Sequence, residues 1–233
     1  MKDDIITISG VSRTFSSGER KYAALRNISL TIARGEYLGI IGKSGSGKST
    51  LLNMITGIDK PDEGSVTVNG TNICELTENR LATWRGKNTG IVFQFFQLIP
   101  TLTIRENLLL PMEFTSSVPH QMREERAKEL LIRTGILPHA DKLPSSLSGG
   151  EQQRAAIARA LACDPPVIIA DEPTGNLDSI TASAVHALFR SLADEGKTVI
   201  IVTHEQNPDL RYDRIVTIAD GEIKCNETKL QRI

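Results

Sequence analysis

An apolar run from Tyr37 to Ile41 leads directly into Gly42-Lys43-Ser44-Gly45-Ser46-Gly47-Lys48-Ser49, and a helical pattern follows from Lys48 to Gly57. A strand that breaks into a glycine-rich turn and continues as a helix gathers backbone N–H groups and the positive end of a helix dipole at one point. That arrangement cradles phosphate. Gly42, Gly45 and Gly47 permit the backbone conformations it requires. Lys48 carries a mobile positive charge toward the β- and γ-phosphates, and Ser49 offers a hydroxyl to Mg2+. Lys43, Ser44, Ser46 and Thr50 complete the expected nucleotide-binding loop. The motif has meaning only between a strand and a helix, so it asks for an α/β chain.

The rest of the sequence supplies one. Short runs rich in Val, Ile and Thr at residues 4–9, 28–32, 37–41, 65–68, 89–93, 167–171, 198–203 and 214–219 read as strands. Residues 48–57, 121–133, 149–163 and 179–194 read as helices, the last closed by Gly196. Asn69-Gly70 and Asp220-Gly221 are turn dipeptides after apolar runs, so antiparallel strands should accompany the parallel core. Residues 95–148 lack a strand pattern. They carry a charged amphipathic segment, Arg123 to Arg133, with Ala127, Leu130, Leu131 and Thr134 on its apolar side. The expectation is a single domain over 1–233. Its core and antiparallel β subdomain take 1–94 and 149–233, and a helical subdomain takes 95–148.

Charge narrows the partners. Lys plus Arg number 27 against 28 Asp plus Glu, a net −1, so a generally polyanion-binding surface is disfavoured and no nucleic acid is expected. The longest apolar runs fall far short of the roughly 18 residues that span a bilayer. Met1-Lys2-Asp3-Asp4-Ile5 carries acids where a secretory signal carries bases, which predicts a cytosolic protein. Cys74, Cys163 and Cys225 are widely spaced and suggest neither a disulfide framework nor a zinc site.

A second constellation surrounds Val167-Ile168-Ile169-Ala170-Asp171-Glu172. An acidic pair at a strand end is ordinarily solvated. Beside a phosphate loop, Asp171 can hold the magnesium shell and Glu172 can polarise an attacking water. His204 follows the run 198–203 and could reach a γ-phosphate from the neighbouring strand, although a lone histidine there is more often structural. Ser148 and Glu151, in Leu147-Ser148-Gly149-Gly150-Glu151-Gln152, form a capping box that could by itself be purely structural. Gly149 and Gly150 leave that helix start as bare backbone, suited to a phosphate arriving from outside. The chain's own nucleotide belongs to the Gly42 loop, so the second anion site suits a nucleotide held by another subunit.

Together these segments resemble the ABC ATPase family over nearly the whole chain. Gly42 to Ser49 resembles the Walker A motif, Leu147 to Gln152 the family signature, and Val167 to Asp171 Walker B with Glu172 as the catalytic glutamate. Gly175-Asn176-Leu177-Asp178 resembles the D-loop, His204 the switch histidine, and Gln94 in Val92-Phe93-Gln94 the Q-loop glutamine. Phe15 matches the aromatic position that stacks on adenine, with Tyr22 as the other candidate and a core aromatic open for either.

The resemblance implies a P-loop NTPase core with a mixed parallel sheet, an antiparallel β subdomain and a helical insertion carrying the signature. It implies ATP and Mg2+, with Ser49, Gln94 and Asp171 around the metal and Glu172, His204 and Gln94 in hydrolysis. It further implies a head-to-tail homodimer in which Ser148, Gly149, Gly150 and Glu151 reach the partner's ATP, and Asn176 and Asp178 meet across the interface. Closure would drive an integral-membrane permease docked near residues 94–111, which places the protein on the cytoplasmic face of the cell membrane. Phe95, Phe96, Leu98 and Ile99 suit either that docking surface or internal packing.

Phe93 to Pro100, Thr103 to Asn107 and Asp171 to Asp178 look most like the ATPases of lipoprotein-release and macrolide-export systems. Export, lipoprotein release or mechanotransmission is the implied work. Lys43 and Phe95 depart from that pattern, standing where a small residue or proline and a polar residue are frequent. A soluble ABC-type machine on ribosomes or nucleic acid remains an alternative, though such chains usually carry two cassettes or a long coiled coil. A P-loop kinase or GTPase leaves Ser148 to Glu151 and His204 without roles, and Glu172 argues against an adaptor that only binds ATP.

Overall fold

Two long antiparallel strands, β1 (Asp4–Ser17) and β2 (Arg20–Ala33), open the chain in the computed structural model, which describes residues 3–18, 20–204 and 212–228. Both run well past the apolar stretches 4–9 and 28–32. Their inner halves bury Ile6, Ile8, Val11, Ile28 and Ile32, whereas Thr14, Phe15 and Ser16 stand exposed. The outer half keeps main-chain pairing with register shifts from Ile8 to Thr14, and because its buried residues Ala24 and Leu25 are adjacent it shows no clean apolar alternation to read.

β4 (Glu63–Val68) pairs with the other edge of β1, and β5 (Thr71–Asn72) pairs with β4. The sheet order is β2-β1-β4-β5. Asn69 and Gly70 both take left-handed backbone in the β4–β5 turn, as their dipeptide predicts.

Contacts divide the chain into two compact units, residues 1–81 with 190–233 and residues 82–189. In the first, β3 (Tyr37–Ile41) lies between β8 (Thr198–Thr203) and β9 (Arg214–Ala219), parallel to both. Every residue of β3 and β8 is buried, which is why they read as unbroken apolar runs. β10 (Glu222–Thr228) returns antiparallel to β9 through Asp220-Gly221. Its mixture of half-buried and exposed polar residues hid it as a strand, although the turn announced it. The helix α1 (Lys48–Thr56) ends on Gly57 in left-handed conformation.

The second unit holds a parallel pair, β6 (Thr89–Val92) and β7 (Val167–Asp171). No strand occurs over residues 93–166, and helices fill that interval: α3 (Ile104–Thr115), α4 (Arg123–Arg133) and α5 (Gly149–Ala160). Thr103 and Glu106 form a capping box at the start of α3, and the carbonyls of Lys142 and Ala140 accept from Ile104 N and Arg105 N. Leu108, Met112, Ala127, Leu130, Leu131 and Ala156 are buried in this unit. α5 lies so close to β6 that a Cβ on Gly90 would stand 2.3 Å from Ala160 O.

α6 (Ser179–Asp194) has the predicted bounds, whereas α2 (Glu78–Asn88) was not predicted because Leu81 and Trp84 are its sole large buried apolar residues. The architecture is the expected mixed α/β class. Among the described residues no helix is long and apolar enough to cross a membrane.

Candidate nucleotide site

Ile41, the last residue of β3, pairs with Thr203, the last residue of β8. The Gly42 loop and the exposed His204 therefore leave neighbouring parallel strands at the same C-terminal edge, the edge where open α/β sheets bind ligands. The three loop glycines are required for different reasons. A Cβ on Gly42 would stand 2.2 Å from Ile218 O, and one on Gly47 (φ 106) would stand 2.4 Å from Ala24 O. Gly45 (φ 77) has open space around it and is needed for its conformation alone.

The β9–β10 turn braces this loop. Gly221 N donates to Ser46 O at 3.0 Å, and Arg26 N donates to Gly221 O at 2.8 Å. Lys48 is only 7% exposed, and its Nζ donates to the carbonyls of Gly42 and Lys43 at 2.8 and 3.0 Å. The ammonium is thus held in the curve of the loop. Gly47 caps α1 without a side chain, so no side-chain cap hydrogen bond engages the first helical N–H groups. Lys43, Ser44 and Ser49 are exposed, Thr50 is half-buried and Ser46 is buried.

Phe15 and Tyr22 face each other across β1 and β2, 41% and 53% exposed, so neither is a core aromatic. They differ in what they touch. Tyr22 Oη donates to Gly45 O at 2.5 Å, which ties the hairpin to the phosphate loop. Phe15 carries the Arg13 guanidinium 5.0 Å above its ring, and Arg13 is itself fixed by Asp59 and Asp62 at 2.9 and 2.6 Å. The Tyr22 contact joins residues 23 apart and leaves no local pattern to detect.

In the second unit β6 and β7 end together, with Val92 opposite Ala170. Gln94 lies two residues beyond one end; Asp171 and Glu172 lie at the other. Glu172 has φ 47, an uncommon conformation for a non-glycine residue and one that concentrates at functional sites. A Cβ on Gly175 would lie 3.9 Å from Gln94 Nε2 and 4.0 Å from Glu172 Cβ, so the Gln94 amide and the base of the Glu172 side chain both lie against Gly175. Asp178 caps α6, accepting from Ile180 N, Thr181 N and Thr181 Oγ1 at 3.1, 2.9 and 2.6 Å. Thr181, above all, holds the Asp178 carboxyl below its usual range. Asn176 is exposed.

Ser148 caps α5 in a complete box. Its N–H and Oγ donate to Glu151 Oε2 at 2.7 and 2.8 Å, and Glu151 N donates back to Ser148 Oγ at 3.4 Å. The Ser148 donors lower the Glu151 carboxyl pKa, with smaller help from His139 and Arg154. His139 Nε2 lies 3.1 Å from Glu151 Oε1, a neighbour that spacing did not suggest. Gly149 and Gly150 are half-buried, and a Cβ on Gly150 would meet Thr181 Cγ2 at 2.7 Å. The start of α5 thus abuts the start of α6 through a glycine.

Beside this surface lies an open groove of about 320 Å3, lined by Phe93, Gln97, Ile99, Leu110, Pro111 and Phe114. Phe95 and Phe114 are 69% and 80% exposed, whereas Phe96 and Leu98 are half-buried. The apolar stretch after Gln94 therefore divides between surface and packing.

These features agree with comparisons to known proteins. A family model described as ABC transporter matches residues 25–175. An uncharacterised ABC transporter ATP-binding protein of Thermotoga maritima is 45% identical over 225 residues, covering 97% of this chain and 96% of that protein. The macrolide export ATP-binding/permease protein MacB of Salmonella choleraesuis is 44% identical over 222 residues, which span 95% of this chain and 34% of MacB. A solved ATP-binding cassette, a dimer in a post-hydrolysis state bound to ADP and Pi, superposes with a TM-score of 0.89 at 42% identity, covering 96% of this chain and 98% of that one. Matched by the family model over more than half its length, with a phosphate loop and signature helix of the form described above, this chain belongs to the ABC transporter ATP-binding family and is an ABC ATPase.

Proposed function

We propose that this ATPase powers a separate integral-membrane permease by closing as an ATP-dependent head-to-tail homodimer, in a system for export, lipoprotein release or mechanotransmission. The observation that carries this reading is the start of α5, where Ser148 is exposed and Gly149 and Gly150 are half-buried. Ser148 and Glu151 satisfy each other, Gly149 and Gly150 add no side chain, and the helix dipole points outward. One nucleotide uses the phosphates held by the Gly42 loop. A second anion-ready helix start serves the nucleotide of a second copy, and a dimeric cassette among the solved structures supports the pairing of two copies.

In this reading the Gly42 loop and Lys48 bind the β- and γ-phosphates, and Phe15 stacks on adenine while Tyr22 stays on Gly45. Glu172 takes the proton of the attacking water, Gln94 orients that water, and His204 contacts the γ-phosphate. Asn176 and Asp178 shape the facing surface between copies. Loss of the γ-phosphate removes the contact that distinguishes the closed dimer from the open one.

Ser49, Gln94 and Asp171 offer a hydroxyl, a carboxamide and a carboxylate, all hard oxygen donors that suit Mg2+. When bound, its contribution is to neutralise charge on the β- and γ-phosphates.

The groove beside Gln97 and Ile99 is the surface we assign to the permease, within residues 94–111 and at the edge of the helical subdomain 95–148. Through it the chain would sit on the cytoplasmic face of the membrane. Similarity to MacB, whose name joins an ATP-binding part to a macrolide-export permease, favours an export-type partner.

Glu172→Gln tests the mechanism. It should dimerise with ATP in light scattering and lose about 10^2–10^4-fold in turnover, the usual worth of a general base. A variant that stays monomeric with ATP or hydrolyses at the full rate would refute the mechanism. Ile99→Asp tests the docking surface: permease stimulation should fall with basal hydrolysis intact, and unchanged stimulation would move the partner elsewhere.

A further inference from the structure

Two consecutive non-glycine residues just after Gln94, Phe96 (φ 58) and Gln97 (φ 53), occupy left-handed backbone. L-residues resist that conformation and keep it where surrounding groups hold them. The holder here is Arg159, in the last turn of α5. Its Nη2 donates to Phe96 O at 2.8 Å and its Nη1 to Gln97 O.

This guanidinium is half-buried and has no carboxylate partner among the described residues. Burial lowers its pKa without an opposing acid. A cation taken partly out of water needs compensation, and the two carbonyls supply it. The same segment also reaches the other end of the helix, because a Cβ on Gly149 would lie 3.9 Å from Phe96 Cζ. Gln97 and Arg159 both line the groove assigned to the permease. The Gln94 amide, two residues before Phe96, lies against Gly175 beside the base of the Glu172 side chain.

We propose that Arg159 is a positioning residue, a latch that holds Phe96 and Gln97 left-handed and thereby fixes Gln94 relative to the helix that Ser148 opens. The inference rests on the assignment of Gln94 to hydrolysis.

Four variants in the full chain test it: Arg159→Met, Arg159→Lys, Gln97→Gly and the Arg159→Met/Gln97→Gly pair. Each is assayed for fold by circular dichroism, for ATP Kd by titration and for kcat. Arg159→Met should leave Kd within about threefold and lower kcat about tenfold or more, because the Gly42 loop is untouched while the strained segment relaxes. Arg159→Lys, whose single ammonium can reach one carbonyl, should fall between. Glycine adopts left-handed backbone without strain, so Gln97→Gly should restore several-fold of the lost kcat in the methionine background and change little alone.

A packing role for Arg159 would show no such rescue. Full kcat in Arg159→Met, or a loss that Gln97→Gly does not relieve in a folded, ATP-binding protein, overturns the latch. If Arg159→Met fails to fold, the same comparison is made on Arg159→Lys, where absence of any gain from Gln97→Gly overturns it equally. Gln94→Ala separates this from its premise. Full hydrolysis there overturns the assignment of Gln94, whereas loss there with none in Arg159→Met overturns the latch.

Discussion

Replacing the phosphate-loop glycines one at a time by alanine separates two costs that sequence alone merges. At Gly45 the new methyl enters open space, and the cost is the left-handed φ of 77°, about 1–2 kcal/mol, partly offset by about 0.4–1 kcal/mol from a stiffer unfolded chain. Gly42 carries no such strain. Its methyl would stand 2.2 Å from Ile218 O and 2.7 Å from Ser46 Oγ, and because the first is backbone the loop or β9 must move, at about 1–3 kcal/mol. Gly47 combines both, with φ 106 and a 2.4 Å approach to Ala24 O, for about 2–5 kcal/mol. Urea denaturation should rank the losses Gly47→Ala, then Gly42→Ala, then Gly45→Ala. ATP titration should follow the same order, with Gly45→Ala least affected because its backbone N–H groups stay where they are. Gly221 supplies an internal check: its Cβ would approach the same Ala24 O at 2.8 Å. Gly47→Ala and Gly221→Ala push on one carbonyl, so the double variant should lose less than the sum. Equal losses at Gly45 and Gly47, or a harmless Gly42→Ala, would refute the contact-and-strain account of this loop.

Ser148→Ala should cost about 1 kcal/mol in thermal or urea denaturation, the usual worth of an N-cap, yet abolish ATP-dependent dimerisation in light scattering. A dimer that survives would detach the cap from the trans site. His186 lies 3.4 Å from Thr174 Oγ1, and burial pushes its pKa below the ordinary 6.5. Below about pH 6.5 the unfolded chain then binds a proton that the folded chain resists, so stability falls as pH drops, and His186→Gln should flatten the loss measured between about pH 7 and 5.5. An unchanged slope would remove His186 as its source. Tyr22→Phe deletes the donor to Gly45 O and should weaken ATP binding by less than about tenfold, an exposed hydrogen bond contributing about 0.5–1.5 kcal/mol. A complete loss of ATP binding in that variant would refute so small a role for the Tyr22 hydroxyl.

What could be read beforehand follows from where each element buries its residues. β3, β7, β8 and β9 match their predicted bounds because their apolar residues are contiguous or alternate cleanly against a core. The outer halves of β1 and β2, the edge strand β10 and the polar helix α2 escaped because main-chain hydrogen bonds hold them while most of their side chains meet water, with only Ala24 and Leu25 in β2 and Leu81 and Trp84 in α2 as clearly buried apolar residues. The site divides along the same line. The phosphate loop and the Ser148–Glu151 box are local motifs, each complete within eight residues, and a spacing rule finds them. The bond from Tyr22 to Gly45 spans 23 residues and the one from Arg159 to Phe96 spans 63, so no spacing rule reaches them. Even within the local motifs a letter understates its cause. Gly42, Gly45 and Gly47 look alike in the pattern, yet one yields to a carbonyl of β9, one to its own φ, and one to both its φ and a carbonyl of β2. Gly150 yields to the side chain of Thr181, whose Cγ2 can rotate aside only by carrying Oγ1 away from Asp178. Alanine at Gly150 should therefore loosen the Asp178 cap of α6, at about 1 kcal/mol in urea denaturation, and a Gly150→Ala chain as stable as the parent would refute this account of the contact.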